Sequence, residues 1–334
     1  MGRDPIEDHG FVHRLTTESK NSLAPGPNLD HLNSEVVDIL NTSFSAICAT
    51  QDPKTVNLFE WASQEAMMAT TGAIYGPLNP FNDTKVRTVY YDLQADLLRL
   101  LMGFMKPIFA KKPLQALEII SEAFEKYYAE GGLETRSSAF ARGRYSCPRD
   151  HGVPEKDVAK MEAGGIFALI ANTMPVAFWT LYHAVADPAV LADCRRELHG
   201  AVSEKDGQAY LDLTYVKNSC PIMVSAMQEA MRFHSIDLAM RAVVEDHMLD
   251  GKYLLKKGAT VMIPDAQPSG IPSLRRRRYS LPRTPATEIL AFATMMLLRF
   301  HLKAVDGQWS TGGYTQTNGG IRLPRQDVQV ELRP

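Results

Sequence analysis

Cysteine is scarce in this sequence, and the spacing of the few that occur excludes two common kinds of site. The four cysteines, Cys48, Cys147, Cys194 and Cys220, are widely separated and form no C-x-x-C pair. Structural zinc sites and disulfide frameworks use closely spaced or paired cysteines, so neither is expected. The sequence therefore predicts reduced thiols in an intracellular protein.

An excess of charge of one sign is also missing. The formal net charge is −2 and charged residues make up 22% of the chain, which argues against a nucleic-acid partner and a disordered acidic tail. No apolar stretch follows Met1–Ile6, so these residues do not predict a signal peptide. The one strongly basic run is Arg275–Arg278, and its ordinary interpretation is a solvated loop or a phosphate-binding patch.

Charge is absent altogether from Gly164–Ala186. This stretch is long enough to cross a bilayer, which needs about 20 residues. It also contains Asn172, Thr173, Pro175 and His183, and polar groups are costly in lipid unless they are paired. A buried core helix is therefore favoured over a transmembrane helix.

Apolar residues recur with helical spacing over most of the chain, and short alternating segments follow the last of the mid-chain helices. The first 28 residues and residues 133–153 are polar and predict loops. The predicted helices are Leu32–Ala46, Leu58–Ile74, Tyr90–Phe109, Leu114–Glu130, Pro154–Ala186, Pro188–His199, Tyr215–Phe233 and Thr287–Phe300. The predicted strands are Met240–Val244, Thr260–Ile263 and Asp327–Leu332, with a turn at Asp250-Gly251. This content predicts one domain, mainly α with a minor β-sheet (α+β).

Two motifs carry the clearest chemistry. Glu229 and Arg232 stand three residues apart on a predicted helix, so they can meet on one face. Alone, this spacing indicates a surface ion pair worth less than about 1 kcal/mol. The helix around it is apolar, however, so we expect the two side chains to be buried and hydrogen-bonded to each other as a structural lock. The second motif is Ala171–Trp179, in which Thr173 follows Asn172. A threonine inside a helix commonly bonds back to a carbonyl one turn earlier.

These motifs and their order resemble the cytochrome P-450 family: a long apolar helix, then an E-x-x-R helix, then a strand that carries Arg241. The threonine motif resembles the branch that holds the bile-acid sterol hydroxylases and prostacyclin synthase, in which asparagine replaces the acid before the threonine. Thr287–Phe292 resembles the helix that follows the heme cysteine in fungal members. The resemblance covers residues 31–263 and the chain from residue 287 onward, and it places the family's membrane anchor and first sheet strands outside this sequence.

The resemblance implies a heme-thiolate monooxygenase that binds heme b and takes electrons from an NADPH-dependent reductase. Its substrate would be a lipophilic small molecule that is sterol-, terpenoid- or polyketide-like, as in secondary metabolism. It also implies that Asn172 and Thr173 lie at the oxygen pocket, where Thr173 helps to deliver protons. Glu229 and Arg232 would stabilise the heme-side core, and Arg241 would pair with a heme propionate. Full-length relatives lie at the endoplasmic reticulum membrane, whereas no anchor is expected in this chain.

The family's heme ligand has no counterpart at the expected place. The family carries its cysteine in F-x-x-G-x-x-x-C-x-G, between the small β unit and the last helix. The corresponding interval, Asp265–Ala286, has no cysteine, and all four cysteines precede the E-x-x-R motif. Because the thiolate pushes electron density onto the iron and so defines this chemistry, the chain is expected to hold no axial metal ligand and to bind no heme.

An out-of-frame translation would account for this interval. Synonymous codons exist for Ile271–Thr284 such that reading one nucleotide later gives F-R-P-F-G-G-G-A-T-L-C-P-G, which is the family's loop with its required spacing. The correct frame would resume near Ala286. The freely chosen codons establish compatibility, and a gene-model error, a splicing event and a mutation all remain open.

Three functional hypotheses follow. The intact gene product is a heme-thiolate monooxygenase, or, because Asn172 replaces the acid, an isomerase of the same family that transfers no oxygen. Alternatively, the chain is a catalytically inactive remnant that binds no heme. The third hypothesis is a helical scaffold unrelated to heme.

An out-of-frame Asp265–Ala286 segment was never selected to pack, so we expect it to be exposed and irregular. Its four prolines and its arginine run disfavour helix and strand. Brief trypsin treatment of the folded chain should cut first at Arg275–Arg278. Resistance there equal to that of the core helices would contradict the frameshift interpretation.

Overall fold

The computed structural model describes residues 11–50, 52–101, 111–235, 238–264, 285–315 and 320–334. Within these residues the chain forms eleven α-helices and nine short strands. The helices are α1 (Phe11–Ser22), α2 (Pro27–Ala49), α3 (Leu58–Tyr75), α4 (Thr84–Leu101), α5 (Lys111–Ala129), α6 (Ala139–Asp150), α7 (Glu155–Ala186), α8 (Pro188–His199), α9 (Leu213–Ser219), α10 (Pro221–His234) and α11 (Pro285–Arg299). The strands are β1 (Lys54–Asn57), β2 (Val202–Lys205), β3 (Gln208–Leu211), β4 (Leu238–Ala242), β5 (His247–Leu249), β6 (Tyr253–Leu255), β7 (Thr260–Pro264), β8 (His301–Ala304) and β9 (Gln329–Arg333).

Helix α7 is the centre of the helical body. Its 32 residues pack against α3, α4, α5, α6, α8, α10 and α11. Among the described residues it is the one helix long and apolar enough to cross a membrane, yet most of that stretch is buried by its neighbours. Phe178 and Trp179 are among the largest fully covered side chains. The prediction of a buried core helix over Gly164–Ala186 is confirmed.

The C-terminal strand β9 joins the end of the chain to its first half. It lies between β1 and β8 in an antiparallel sheet, with Val56 opposite Val330 and Leu302 opposite Leu332. Val330 and Leu332 are fully buried, so this small sheet closes one side of the core. The predicted strand Asp327–Leu332 is confirmed, two residues later at its start, whereas β1 and β8 were not predicted.

Two hairpins follow from Asp-Gly turns. Asp250 and Gly251 have φ values of 52° and 63° and join β5 to β6. Asp206 and Gly207 have φ values of 53° and 73° and join β2 to β3. The β2–β3 loop has two residues, and positive φ at both suits the twist of such a hairpin, which explains the preference for Asp-Gly. The β5–β6 loop has a third residue, Lys252, since Leu249 pairs with Tyr253. The first turn was predicted; the second carried the same signal and was missed.

The loops predicted for residues 1–28 and 133–153 are wrong in part. Residues 11–22 form α1, which packs against α6, since the Pro and Gly residues that suggested a loop begin only after Ala24. Within the second loop, α6 begins at Ser138, whose side chain accepts a hydrogen bond from the Ala141 N–H and so caps the helix. Its buried face includes Phe140 and Cys147.

The helix predicted over Tyr215–Phe233 is two helices. Proline cannot donate to the preceding turn and disfavours helical backbone at the residue before it. Pro221 therefore starts α10, and Cys220 separates α10 from α9. The helix predicted from Tyr90 begins earlier, at Thr84, and its predicted end beyond residue 101 lies outside the described residues. The interval Asp265–Ala286 also lies outside them up to residue 284, so its predicted irregularity stays a prediction.

A buried ion pair ties α6 and α3 to the central helix. Arg144 Nε donates to Glu162 Oε2 at 2.6 Å, and the Tyr75 hydroxyl donates to Glu162 Oε1 at 2.5 Å. The Glu162 side chain is 3% exposed and that of Arg144 is 13% exposed. Gly165 lets the guanidinium lie against α7, because a Cβ there would collide with it. Burial, together with the charge of Glu162, raises the pKa of Tyr75 well above its usual value, so its hydroxyl stays a donor.

Replacing Glu162 with Gln should destabilise the fold by about 3–5 kcal/mol, because the Arg144 cation would be left buried without its counter-charge. Urea unfolding of the two proteins measures this difference. The matched control is Glu130→Gln, in an exposed pair with Lys126, and should leave the unfolding midpoint unchanged. Equal midpoints for all three proteins would contradict a structural role for the buried pair.

Candidate active site

The middle of α7 combines a threonine with a helix-interior proline. Thr173 is 5% exposed, and its hydroxyl donates to the Leu169 carbonyl at 3.0 Å, one turn earlier. Pro175 has no N–H and cannot donate to the carbonyl of Ala171. The Ala171 carbonyl, which lacks this helix hydrogen bond, and the Thr173 hydroxyl therefore lie close together in a long apolar helix. The ordinary back-bond expected for a mid-helix threonine is present.

Thr173 also lines a small internal cavity shared by α3, α7 and α11. The cavity has a volume of about 10 Å³, and its polar lining comes from Thr70, Thr173 and Glu288. Ala177 and Phe292 belong to its apolar lining. One water needs about 10–15 Å³ of such space and two to four polar partners. The cavity is therefore at the lower limit of the volume that holds one water.

Glu288 is the titratable group of this cavity. Thr70 Oγ1 donates to Glu288 Oε2 at 3.1 Å, which links α3 to the first turn of α11. Burial raises the pKa of Glu288 to about 7, and the hydrogen bond from Thr70 opposes this rise. The carboxyl group is therefore close to half protonated at neutral pH. It can donate or accept a proton beside Thr173.

Sequence reasoning missed Glu288 and Thr70 as site residues. A signal for Glu288 was available, since it is the one acidic residue in an otherwise apolar α11. For Thr70 the sequence gave no comparable sign, because its hydroxyl becomes significant only where α3 crosses α11. The helix predicted over Thr287–Phe300 is itself confirmed as α11, and its packing against α2 and α7 brings Glu288 into the site.

The other predicted site residues do not meet in this cavity. Asn172 is exposed, because the helical rotation turns it away from its neighbour Thr173. Arg241 is exposed on β4, opposite Val261 of β7. The predicted strand Met240–Val244 is thus present as Leu238–Ala242, while the propionate contact of Arg241 stays a prediction.

The E-x-x-R pair forms, but it is not buried. Arg232 Nε and Nη2 donate to Glu229 Oε2 at 2.9 and 2.7 Å. The side chains are 28% exposed for Arg232 and 36% exposed for Glu229. The mutual hydrogen bond was correctly predicted; the expected burial is wrong. The apolar residues of α10 point to the core on its other face, which includes Met223 and Met227.

The cysteines lie in places unsuited to ligating a heme iron beside α7. Cys48 lies near the end of α2, and Cys147, Cys194 and Cys220 are buried free thiols on α6, on α8 and before α10. Burial raises the pKa of Cys194 to about 12 and raises those of Cys147 and Cys220. A thiolate is the ligating form, so burial works against ligation by these three. Among the described residues there is no cluster of three or more His, Cys, Asp or Glu suited to a metal ion.

Comparisons with known proteins find similarity to cytochrome P450 sequences. A sequence model of cytochrome P450 matches residues 150–265, which hold α7 to β7. The cytochrome P450 monooxygenase nodJ of Hypoxylon pulicicidum is 28% identical over 92% of this chain and 68% of its own length. A cytochrome P450 monooxygenase of Gibberella zeae is 24% identical over 86% of this chain and 63% of its own length. Cholesterol 7-alpha-monooxygenase of Cricetulus griseus is 31% identical over 31% of this chain and 22% of its own length.

The chain therefore spans about two thirds of the length of the two fungal relatives. The match with the sterol relative is shorter, at 113 residues. These likenesses agree with the resemblance seen in the motifs, both in the family and in its fungal and sterol-hydroxylating members.

Glu288→Gln should remove one pH dependence of stability. The pKa of Glu288 is raised from 4.5 to about 7, so between these values the folded chain binds more protons than the unfolded chain, and stability falls as pH rises. Above about pH 7 the Gln variant should be more stable than the parent by about 3 kcal/mol, and near pH 4.5 this advantage should vanish. Urea unfolding at several pH values checks this, with the exposed Glu122→Gln as control. Parallel pH profiles for parent and Gln variant would show that Glu288 titrates normally.

Proposed function

We propose that this chain, which belongs to the cytochrome P450 family, derives from a heme-thiolate monooxygenase that oxidises a lipophilic small molecule. The observation that carries the proposal is the position of Thr173 and Glu288 on one cavity at the middle of the central helix. The fungal relatives named monooxygenases support the same reaction class.

The chain's own residues can hold a proton at this site. Thr173 donates to the Leu169 carbonyl and keeps its lone pairs as acceptors. Glu288, with a pKa of about 7, supplies a proton that a single bridging water could relay. A carboxyl group on α11 would thus do what the acid before the threonine does in most of the family, since Asn172 cannot titrate.

The substrate and the electron donor belong to the proposal as well. We infer a sterol-, terpenoid- or polyketide-like substrate, supported by the relative named for a cholesterol 7-alpha reaction and by the fungal monooxygenases. An NADPH-dependent reductase would supply electrons. The partly exposed Glu229–Arg232 pair would stabilise the heme side of the core. Arg241 would pair with a heme propionate.

Heme b, held by a cysteine thiolate, would supply the oxygen activation of this family. The residues of this chain do not fit that ligation, since the four cysteines lie on other helices and three carry raised pKa values. We therefore derive no step through heme. This observation favours a second candidate function for the chain in its present form, a catalytically inactive remnant.

The unaltered chain, reduced and exposed to carbon monoxide in the presence of heme, should show no thiolate-type Soret band. The reason is that no cysteine lies between Ile263 and Thr287. Absorbance difference spectra measure this. The matched variant carries F-R-P-F-G-G-G-A-T-L-C-P-G in place of Ile271–Thr284, and its Cys→Ala counterpart is the control. A thiolate-type band from the unaltered chain would contradict the inactive form and assign the ligand to one of the four existing cysteines.

A further inference from the structure

Two histidines from different helices face each other where α7 and α10 end. The Nε2 atoms of His183 and His234 are 2.9 Å apart, and the two rings are 24° from parallel. Trp179, one turn before His183, stacks on the His234 ring with centroids 3.6 Å apart and planes 9° apart. His234 is 1% exposed, so the pair is sealed on that side by the indole. The proposed active site makes no use of these three rings.

The same three-ring cluster anchors a piece of the C-terminal segment. Trp179 Nε1 donates to the Arg322 carbonyl at 2.7 Å, and the Arg322 N–H donates to the His234 carbonyl at 2.8 Å. Ser235, directly after His234, forms an isolated antiparallel bridge with Ile321. Ile321 and Arg322 are therefore bound by the Trp179 indole and by the backbone of His234 and Ser235, which the histidine pair holds in place. The chain then continues into β9, the central strand of the small sheet.

Proton counting makes this contact depend on pH. At 2.9 Å one Nε2 must donate and the other must accept, so the pair can carry at most one proton between the rings. If both rings become imidazolium, two N–H groups face each other and the contact breaks. Among the described residues, His234 Nδ1 is buried without a hydrogen-bond partner, so a second proton on that ring would have no acceptor there.

The surrounding groups oppose protonation more than they favour it. Burial lowers the pKa of His183, and the Glu229 carboxylate on α10 raises it. Burial, the neighbouring His183 and the Arg322 cation lower the pKa of His234 to about 2. Tyr182 and Tyr314 also contact the cluster, with their rings edge-on to Trp179 and His234 respectively. The intact pair is therefore neutral.

We propose that His183 and His234 form a pH-sensitive clasp, which anchors residues 321 and 322 to α7 and α10 when neutral and releases the 321–325 segment when the pair takes up protons. After this segment is released, each histidine regains its ordinary pKa, near 6.5. The clasp is therefore complete above about pH 6.5 and weakens as pH falls. For each proton taken up, the equilibrium constant for closing the clasp falls by up to about tenfold per pH unit. Uptake of two protons therefore lowers it by up to about a hundredfold per pH unit.

Hydrogen exchange of the full chain tests the clasp directly. Between about pH 6.5 and about pH 5.5, protection of the 321–326 amides should fall at least about tenfold after correction for the intrinsic rate, while α7 stays protected. Trp179 emission should change over the same range in a Trp61→Phe, Trp309→Phe background.

His183→Gln places an amide where Nε2 was, keeps a hydrogen bond to His234 and cannot titrate. Its release should move to lower pH, whereas the exposed His247→Gln should behave as the parent.

Two outcomes would overturn the clasp. One is release of residues 321–326 in His183→Gln at the parent's pH; the other is unchanged protection in the parent until the whole chain unfolds. If His183→Gln fails to fold, nitrogen-15 spectra of the parent's imidazoles decide the question. His234 should remain neutral at about pH 5.5 in the clasped state, and ordinary titration of its ring with the segment still protected would sink the proposal.

Discussion

Helix α7 is apolar around nearly its whole circumference, and the rest of the structure depends on covering it. A helix with one apolar face can lie on a surface, but one that is apolar all round must be enclosed. Seven neighbouring helices provide this enclosure, and they come from the front, middle and end of the chain. This need for cover determines where the other helices lie, since α3, α10 and α11 each pack on a different side of α7. The Thr173 cavity is a consequence, because it lies where α3 and α11 meet α7.

The polar groups inside this enclosure fall into two kinds. Glu162 has both oxygens satisfied, by Arg144 and by Tyr75, so its charge is matched and its position fixed. Among the described residues, Glu288 has a hydroxyl partner in Thr70 and no ion pair, and burial raises its pKa to about 7. A matched ion pair favours a single state, whereas a lone carboxyl with a raised pKa can change state at little cost. This difference is why we assign structure to Glu162 and proton handling to Glu288.

The sequence predicted elements well wherever one pattern determines the outcome. The long helix, the Asp250-Gly251 hairpin and α11 follow from periodicity and turn chemistry, and all three are present. It failed where packing or a single residue decides: Ser138 caps a helix inside a polar stretch, and Pro221 divides what periodicity joined. For the site, the order of motifs identified the family and Thr173. Glu288, Thr70 and the His183–His234 contact arise from helix crossings, and no local pattern specifies a crossing.

Resemblance to the cytochrome P450 family and the proposed loss of its chemistry are compatible in this chain, because they depend on different residues. The fold rests on buried contacts of α3, α7, α10 and α11, which include Phe178, Met227 and Phe292. The metal ligand of the family rests on a single cysteine in one loop, which corresponds to an interval without cysteine here. Replacing that interval removes a ligand and leaves the helix contacts in place, as the packing of α11 immediately after it illustrates. The likeness to the family thus rests on packing, whereas the proposed inactivity rests on the residues of one loop.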